Sequence, residues 1–158
     1  MTGIYTYNPK EVTLVVGGYI FTGWESITIT RNTKAFTPVR GIRGKNTRVR
    51  NRDTSATIVI PLLQTSSGND VLTQIVEQDI NFGTALISLS LSDGSGSSVF
   101  DSSEAYVTGF PTTKFSGGFE YRVWEIFCQK TGSFTVGGNA NPSNSLIDNL
   151  VNKVSSFF

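Results

Sequence analysis

Hydrophobic and polar residues alternate along most of the chain, with the period of two that is typical of β-strands. Turn residues separate the alternating runs, and both Gly17-Gly18 and residues 93–96 fit tight turns between paired strands. The chain is therefore predicted to be mainly β. Strands are expected at residues 11–16, 19–21, 26–30, 56–63, 85–92, 99–107, 119–130 and 133–136.

One helix is predicted among these strands, because the hydrophobic period changes to about 3.6 residues after residue 67. The apolar residues of 71–76 fall on one face of such a helix. Ser67 stands at the N-cap position, Asp70 suits the positive end of the helix dipole, and Gly83 would end the last turn. A core strand at 56–63 thus leads into one short flanking helix.

A second amphipathic pattern lies in residues 139–158. Residues 141–143 are loop-like, and the apolar residues that follow recur at helical spacing. Two alternatives stay open for this C-terminal amphipathic helix: it packs on its own domain, or it docks on a partner. The residues expected to carry docking are Leu146, Leu150, Val154, Phe157 and Phe158.

The strand at 119–130 is apolar on both faces. Tyr121, Val123 and Phe127 lie on one face, whereas Trp124 and the lone cysteine, Cys128, lie on the other. Such a strand must be covered on both faces. The second cover is predicted to be either the helix or a neighbouring subunit, and Cys128 is predicted to be a small core residue.

Composition argues against most enzyme classes. The chain has no histidine and one cysteine, which excludes the usual zinc sites and a Ser-His-Asp triad. No pair of carboxylates in the sequence points to a carboxylate-based hydrolase. We therefore predict that the chain is not an enzyme and needs no cofactor or metal. The sequence shows no signal peptide and no run long enough to span a bilayer. Membrane insertion is therefore not expected. The chain is expected to work, or to be assembled, in the cytoplasm.

Residues 31–52, the basic arm, contain eight Lys or Arg and no Asp or Glu. Pro38, Gly41 and Gly44 interrupt this run, which predicts a long protruding hairpin whose two strands meet near residues 41–46. The rest of the chain carries five basic and twelve acidic residues, a net charge of −7. The predicted inter-subunit contacts are Arg40, Arg43, Lys45, Arg48, Arg50 and Arg52.

A positive arm on a negative body can attract a second copy head to tail, and such a heterologous contact makes rings or open stacks. The low share of charged residues, 16%, also fits a surface that lies against other protein. The alternative is a nucleic-acid-binding module that contacts phosphates through the arm. Phe36 is the only aromatic residue of the arm available to stack on bases, which favours a protein partner.

Four stretches, taken in order, resemble the tail tube proteins of contractile-tailed bacteriophages. Their joint order carries the resemblance, which covers about residues 5–130, and type VI secretion and pyocin-type tube proteins are similar in fold. The four stretches are Tyr7-Asn8-Pro9-Lys10-Glu11-Val12, Arg48-Val49-Arg50-Asn51-Arg52-Asp53, Gln64-Thr65-Ser66-Ser67-Gly68-Asn69-Asp70-Val71-Leu72 and Phe119-Glu120-Tyr121-Arg122-Val123-Trp124.

The resemblance implies a β-barrel or sandwich with one helix at its side over residues 1–138, and a C-terminal extension at 139–158 that does not align with the family. It implies a homo-oligomer of hexameric rings, stacked into a tube that conducts DNA without sequence-specific binding. It also implies the tail sheath, baseplate and tail-terminator proteins as partners. The expected location is the virion tail, after assembly in the host cytoplasm.

The basic arm matches, in position, the long loop with which these tube proteins contact the next ring. Eight positive charges per subunit facing the bore would release counterions and hold the duplex there. A conduit must instead let DNA slide. We therefore predict that the basic arm faces another subunit and not the lumen.

Overall fold

The structure, a computed structural model, describes residues 4–139. These residues form ten strands, one α-helix and a short 3-10 turn at Pro9–Glu11. The strands are β1 (Val12–Val16), β2 (Tyr19–Phe21), β3 (Thr28–Arg31), β4 (Phe36–Arg40), β5 (Asn46–Arg50), β6 (Ala56–Leu63), β7 (Ile87–Asp93), β8 (Val99–Val107), β9 (Tyr121–Lys130) and β10 (Phe134–Thr135). The helix α1 spans Gly68–Phe82.

Eight of the strands form one antiparallel sheet in the order β2-β1-β7-β8-β9-β6-β3, with β10 added to β8. The buried residues of both halves of this sheet belong to a single hydrophobic cluster. The sheet therefore curves around one core, as the mainly β prediction requires. β4 and β5 form a separate two-stranded sheet outside it.

The longest uninterrupted strand pair is that of β6 and β9, which are in register from Ala56 opposite Cys128 to Leu63 opposite Tyr121. Along β6 every second residue is fully buried, because side chains alternate between the two faces of a strand. Cys128 is also fully buried, and burial raises the pKa of its thiol to about 11. Its predicted role as a core residue is confirmed.

Helix α1 lies where the period of 3.6 predicted it, with Leu72 and Val76 buried against the core. Gly83 ends the helix in the left-handed region at φ 66°, as expected. The capping prediction was wrong in one respect. Ser67 occupies the N-cap position but makes no side-chain cap; its hydroxyl bonds the Tyr19 hydroxyl at 2.7 Å, and the Ser66 hydroxyl accepts the hydrogen bond of the first helical N–H at 3.2 Å.

The start of α1 is packed so closely that Gly68→Ala should destabilise the fold. A Cβ at Gly68 would lie 2.7 Å from Phe21 Cδ1 and 3.3 Å from Leu62 Cδ1. We expect a loss of roughly 1–3 kcal/mol in the free energy of unfolding, the usual cost of overpacking. Gly118→Ala is the matched control, because only Ser116 Oγ at 3.9 Å would be near the added methyl group. Equal urea midpoints for the two variants would contradict the expectation.

The remaining predictions of local structure are largely confirmed. Gly17 and Gly18 form the β1–β2 turn with φ values of 59° and 86°. The strand expected at 26–30 begins later, at Thr28, because Trp24 pairs with Leu62 in an isolated bridge and the chain must turn before β3 starts. The predicted C-terminal helix falls outside the described residues. Among those residues, no helix combines the length and the apolar character that crossing a membrane requires.

Candidate inter-subunit surface

Residues 36–50, named the ribbon here, form the outer part of the basic arm. β4 and β5 pair antiparallel, from Phe36 opposite Arg50 to Arg40 opposite Asn46. Every residue of both strands is exposed, and the ribbon joins no strand of the large sheet. The predicted protruding hairpin therefore exists, with its strands meeting at the predicted place.

Local hydrogen bonds fix both ends of the ribbon. At the tip, the Gly41 N–H donates to the Lys45 carbonyl at 2.9 Å, and Gly44 takes the positive φ of 82° that the turn needs. At the base, Asn51 Nδ2 donates to the Lys34 carbonyl at 2.6 Å and to Thr37 Oγ1 at 2.9 Å. The ribbon is thus a defined element and not an irregular loop.

The root of the basic arm is tied to the body. Asn32 Nδ2 donates to Ser55 Oγ at 3.0 Å, and the Thr33 hydroxyl donates to Asp53 Oδ2 at 2.6 Å. The bond from Thr33, followed by that from the Ser55 N–H, lowers the pKa of Asp53. Arg31 lies within β3, and its Nη2 donates to the Asp53 carbonyl at 3.2 Å. Arg31 therefore belongs to the body and not to the ribbon.

The ribbon has two chemically different faces, because directly paired residues of antiparallel strands share a face. One face carries the cations of both strands. There the guanidinium of Arg48 lies 4.3 Å from the centre of the Phe36 ring, a cation–π contact. The residues of this cationic face are Phe36, Pro38, Arg40, Asn46, Arg48 and Arg50.

The opposite face of the ribbon is uncharged and consists of Thr37, Val39, Thr47 and Val49. Val39 and Val49 are each about half exposed, and Ile42 at the tip is fully exposed. Sequence reasoning selected only the arginines and the lysine and missed these residues. The alternation of Thr and Val within both strands was the signal that could have found them.

The predicted contact residues are brought together in part. Arg40, Arg48 and Arg50 share the cationic face, while Arg43 and Lys45 lie in the tip turn. Arg52 is exposed beyond the end of β5. Within residues 4–139 the only ion pair joins Lys114 and Glu120, so none of these six cations pairs with a described carboxylate.

A second exposed surface lies on the convex side of the sheet, named the outer face here. Val123 is 50% exposed and Tyr121 is 41% exposed, although both stand in β9, an interior strand of the sheet. Their partners across the strand pair, Pro61 and Leu63, are only partly buried. The outer face also carries Tyr106 and Phe127, whose rings are 5.4 Å apart.

Helix α1 does not cover the outer face. It covers the inner one, where Trp124 is buried and its Nε1 donates to Asn69 Oδ1 at 2.9 Å. Of the two predicted covers for this face of β9, helix α1 is excluded by its position, and cover by a neighbouring subunit stays a prediction.

No candidate metal site emerges from the part of the chain that the structure describes. No three His, Cys, Asp or Glu residues there are grouped so that they could hold a metal ion. The predicted docking residues Leu146, Leu150, Val154, Phe157 and Phe158 lie outside the described residues. The candidate surface consequently consists of the ribbon and the outer face, both of which are suited to contact protein.

Comparison with known proteins agrees with this chemistry. No protein-family model matches the sequence. The chain is 33% identical over 156 residues to structural protein ORF10 of Pseudomonas phage KPP10, a match that covers 92% of this chain and 90% of ORF10.

Solved structures of low sequence identity share the fold. A chain of the sheath–tube complex of an extracellular contractile injection system, in its extended state, is 11% identical with a TM-score of 0.56, over 83% of this chain and 93% of that one. A chain of the tube-terminating cap of the anti-feeding prophage is 12% identical with a TM-score of 0.56, over 85% and 95%. This chain therefore belongs to the ORF10 family of phage structural proteins, not to an enzyme family, and has a fold found in contractile injection systems.

Proposed function

We propose that this protein is the protomer of the inner tube of a contractile phage tail. Its copies form hexameric rings, and the rings stack into a conduit for DNA ejection. The observation that carries the proposal is the ribbon: an ordered hairpin, exposed on both faces, whose cations have no carboxylate partner among the described residues. Family membership and fold support it.

The ribbon supports stacking because an uncovered ribbon has little stability of its own. An isolated two-stranded hairpin is marginally stable in water, so a partner that covers it adds stability. A net charge of +8 on the basic arm faces −7 on the rest of the chain, so the favourable contact joins unlike surfaces of two copies. When two copies make such a heterologous contact, one copy still has an unused basic arm and the other an unused acceptor surface. Further copies can therefore add at both ends and extend the stack.

The outer face supports contact between neighbours within a ring. Aromatic and β-branched side chains lie there on either side of the exposed Glu125. Large exposed apolar patches are uncommon on monomers and mark interaction sites. The outer face and the ribbon belong to separate sheets, which suits two different kinds of contact in one assembly.

Nucleic-acid binding by the basic arm is the alternative function, and one contact argues against it. The ring of Phe36 is already covered on one side by Arg48 at 4.3 Å, so the ribbon's aromatic residue is engaged within the ribbon. Stacking on bases would have to displace that contact. The DNA in the proposed tube passes through the lumen without sequence-specific binding, and the basic arm lies between rings.

The proposed assembly also defines where the protein works. Its partners are the tail sheath outside the tube, the baseplate below it and the tail terminator above it. It resides in the virion tail and is assembled in the host cytoplasm. The sheath–tube complex and the tube-terminating cap that share its fold support the sheath and the terminator, and the baseplate follows from the family resemblance alone.

Negative-stain microscopy of the purified protein at high concentration, beside light scattering at low concentration, tests the proposal. Rings or tubes with six-fold symmetry are the expected result. A monomer at every concentration that binds duplex DNA with a strong salt dependence would favour the alternative instead. Rings with another symmetry would support the tube proposal and refute the proposed hexamer.

Val123→Asp should prevent lateral assembly without unfolding the protein. The side chain is half exposed in the free chain and would be buried in the proposed ring, where an unpaired carboxylate costs several kcal/mol. We expect ring formation, measured by light scattering, to weaken by about tenfold or more. Gln74→Asp adds the same charge to an exposed position of helix α1, away from the outer face, and is the matched control. Equal assembly of both variants would exclude the outer face as an interface.

A further inference from the structure

A groove separates β1 from the segment that leads into β3, at the place where the two ends of the large sheet approach each other. Residues 23–25 close this seam at one end. There the Leu63 N–H donates to the Gly23 carbonyl at 2.8 Å, and the Glu25 N–H donates to the Pro61 carbonyl at 2.8 Å. Elsewhere along the seam no described strand pair joins β1 to β3.

This β1–β3 groove consists of two adjoining cavities of about 430 and 420 Å³, which share Pro9, Val12, Trp24 and Glu25. Its lining is mainly apolar, and Ile20 at one side is 60% exposed. Several lining residues pack directly against the buried core, namely Trp24, Ile27, Ile29 and Leu91. The groove is therefore a continuation of the core towards the surface.

The chain itself arrives at this groove. Asn139, the last described residue, donates from Nδ2 to Asp93 Oδ2 at 2.9 Å, and Asp93 lines the groove. This bond is the main reason that the pKa of Asp93 is lowered. Two residues earlier, the Gly137 N–H donates to the hydroxyl of Ser98, another lining residue, at 3.1 Å. Residues 137–139 are thus tied to the wall of the groove.

We propose that residues 140–158 of the same chain occupy the β1–β3 groove through the apolar face of their predicted helix. That face supplies what the groove lacks, a set of large aliphatic and aromatic side chains. Its members are Leu146, Ile147, Leu150, Val151, Val154, Phe157 and Phe158.

Reach and tethering favour the chain's own groove over that of another copy. Six residues separate Asn139 from Leu146 and span up to roughly 20 Å when extended. A segment anchored so near its site has an effective concentration on the order of millimolar, well above that of a second copy in dilute solution. The segment seals the open seam of the sheet and removes Ile20 and Trp24 from water. This inference does not depend on the tube function.

Trp24 is a built-in reporter for the experiment. The chain has two tryptophans. The other one, Trp124, is buried and hydrogen-bonded to Asn69 of helix α1. In the full chain at low concentration, Leu150→Asp with Val154→Asp should expose Trp24. We expect a red shift of its emission and stronger quenching by acrylamide. The same pair of substitutions in a Trp24→Phe background should change neither quantity.

Asn149→Asp with Ser156→Asp is the matched control, because it adds the same charge to the opposite face of the predicted helix. It should leave the emission of Trp24 unchanged. Far-UV circular dichroism of each variant verifies that the domain stays folded. Identical Trp24 emission and quenching in the Leu150/Val154 variant and the unaltered chain would overturn the proposal.

A disulfide test separates the chain's own groove from a neighbour's. Ile20→Cys with Val151→Cys should oxidise to a cross-link within one chain, visible as faster migration in a non-reducing gel at monomer mass. Cys128 does not interfere, because it is fully buried. Disulfide-linked dimers would show that the segment occupies another copy, and the absence of any cross-link would overturn the proposed contact.

Discussion

Arg48→Glu combined with Arg50→Glu is expected to abolish ring stacking and to leave the fold intact. Both arginines stand on the cationic face of the ribbon, and the double reversal lowers the charge of the basic arm from +8 to +4. The two new carboxylates would face the negatively charged body of the next copy, where like charges repel over a partly desolvated contact. Light scattering and negative-stain microscopy measure the loss of stacks.

The same variant should melt within a few degrees of the unaltered chain. Every residue of the ribbon is exposed, and surface substitutions away from caps and cores usually change stability by about 0.5 kcal/mol or less. Melting must be compared at a concentration where the unaltered chain is unassembled, since association itself raises the melting temperature. A large fall in melting temperature would place Arg48 and Arg50 in a contact within the subunit.

Lys10→Glu with Lys130→Glu provides the charge control. Both lysines are exposed and lie outside the basic arm, and the pair changes the net charge by the same amount. Stacking should survive this change if the position of the charges on the ribbon matters. Equal loss of stacking in both double variants would mean that net charge alone governs association, and the specific role of the ribbon would fail.

The hairpin of the basic arm could be predicted from sequence, but the register that places the cations of both strands on one face could not. The turn residues near Gly41 and Gly44 indicated where the two strands meet. Which residues share a face depends on the register, and a shift by one residue would move Arg48 away from Phe36. Register is set by the exact geometry of the tip, which a pattern of residue types does not determine.

Prediction from sequence meets the same limit in the hydrophobic core and in the elements that cover the sheet. A β-branched run at 56–63 and an aromatic run at 119–130 predicted β6 and β9, which pair along eight residues. The sequence also showed that β9 is apolar on both faces. It could not show that Trp124 meets Asn69, because that contact joins residues 55 positions apart in the chain. Only the three-dimensional arrangement assigns the helix to the inner face and shows that Val123 is half exposed.

Ser66, and not Ser67, accepts the hydrogen bond from the first helical N–H, and the cause is again a contact distant in sequence. A capping rule ranks serine highly at either position, and local sequence does not choose between adjacent hydroxyls. Tyr19, which comes from the β1–β2 hairpin, bonds the Ser67 hydroxyl and leaves Ser66 to accept from the helix. A tertiary contact has overridden a local preference.

Trp124→Ala is expected to cause the largest loss of folding stability among the single substitutions considered. The indole is 98% buried, so its removal leaves a cavity where β9 meets the helix. Truncating a buried aromatic side chain to alanine costs roughly 3–5 kcal/mol. Asn69 Oδ1 also loses its donor at 2.9 Å, and Asn69 Nδ2 links the end of β6 to the helix through the Leu63 carbonyl at 2.9 Å.

Trp124→Phe separates the two contributions. It retains most of the buried ring and removes only the hydrogen bond to Asn69, which should cost roughly 1–3 kcal/mol as the price of an unpaired buried acceptor. Val123→Ala, the neighbour on the half-exposed outer face, should cost less than either variant. The three free energies of unfolding are best measured by urea titration at a concentration where the unaltered chain is unassembled, since association adds to apparent stability.

The order Trp124→Ala, Trp124→Phe, Val123→Ala, from largest to smallest loss, is the expected outcome. It follows from the burial of Trp124, its hydrogen bond to Asn69 and the exposure of Val123. Assembly should respond in the opposite sense: Trp124→Phe, once folded, should form rings, whereas Val123→Asp should not. Equal stability losses at positions 123 and 124 would mean that both faces of β9 are buried within one subunit, and the outer face would then be no interface.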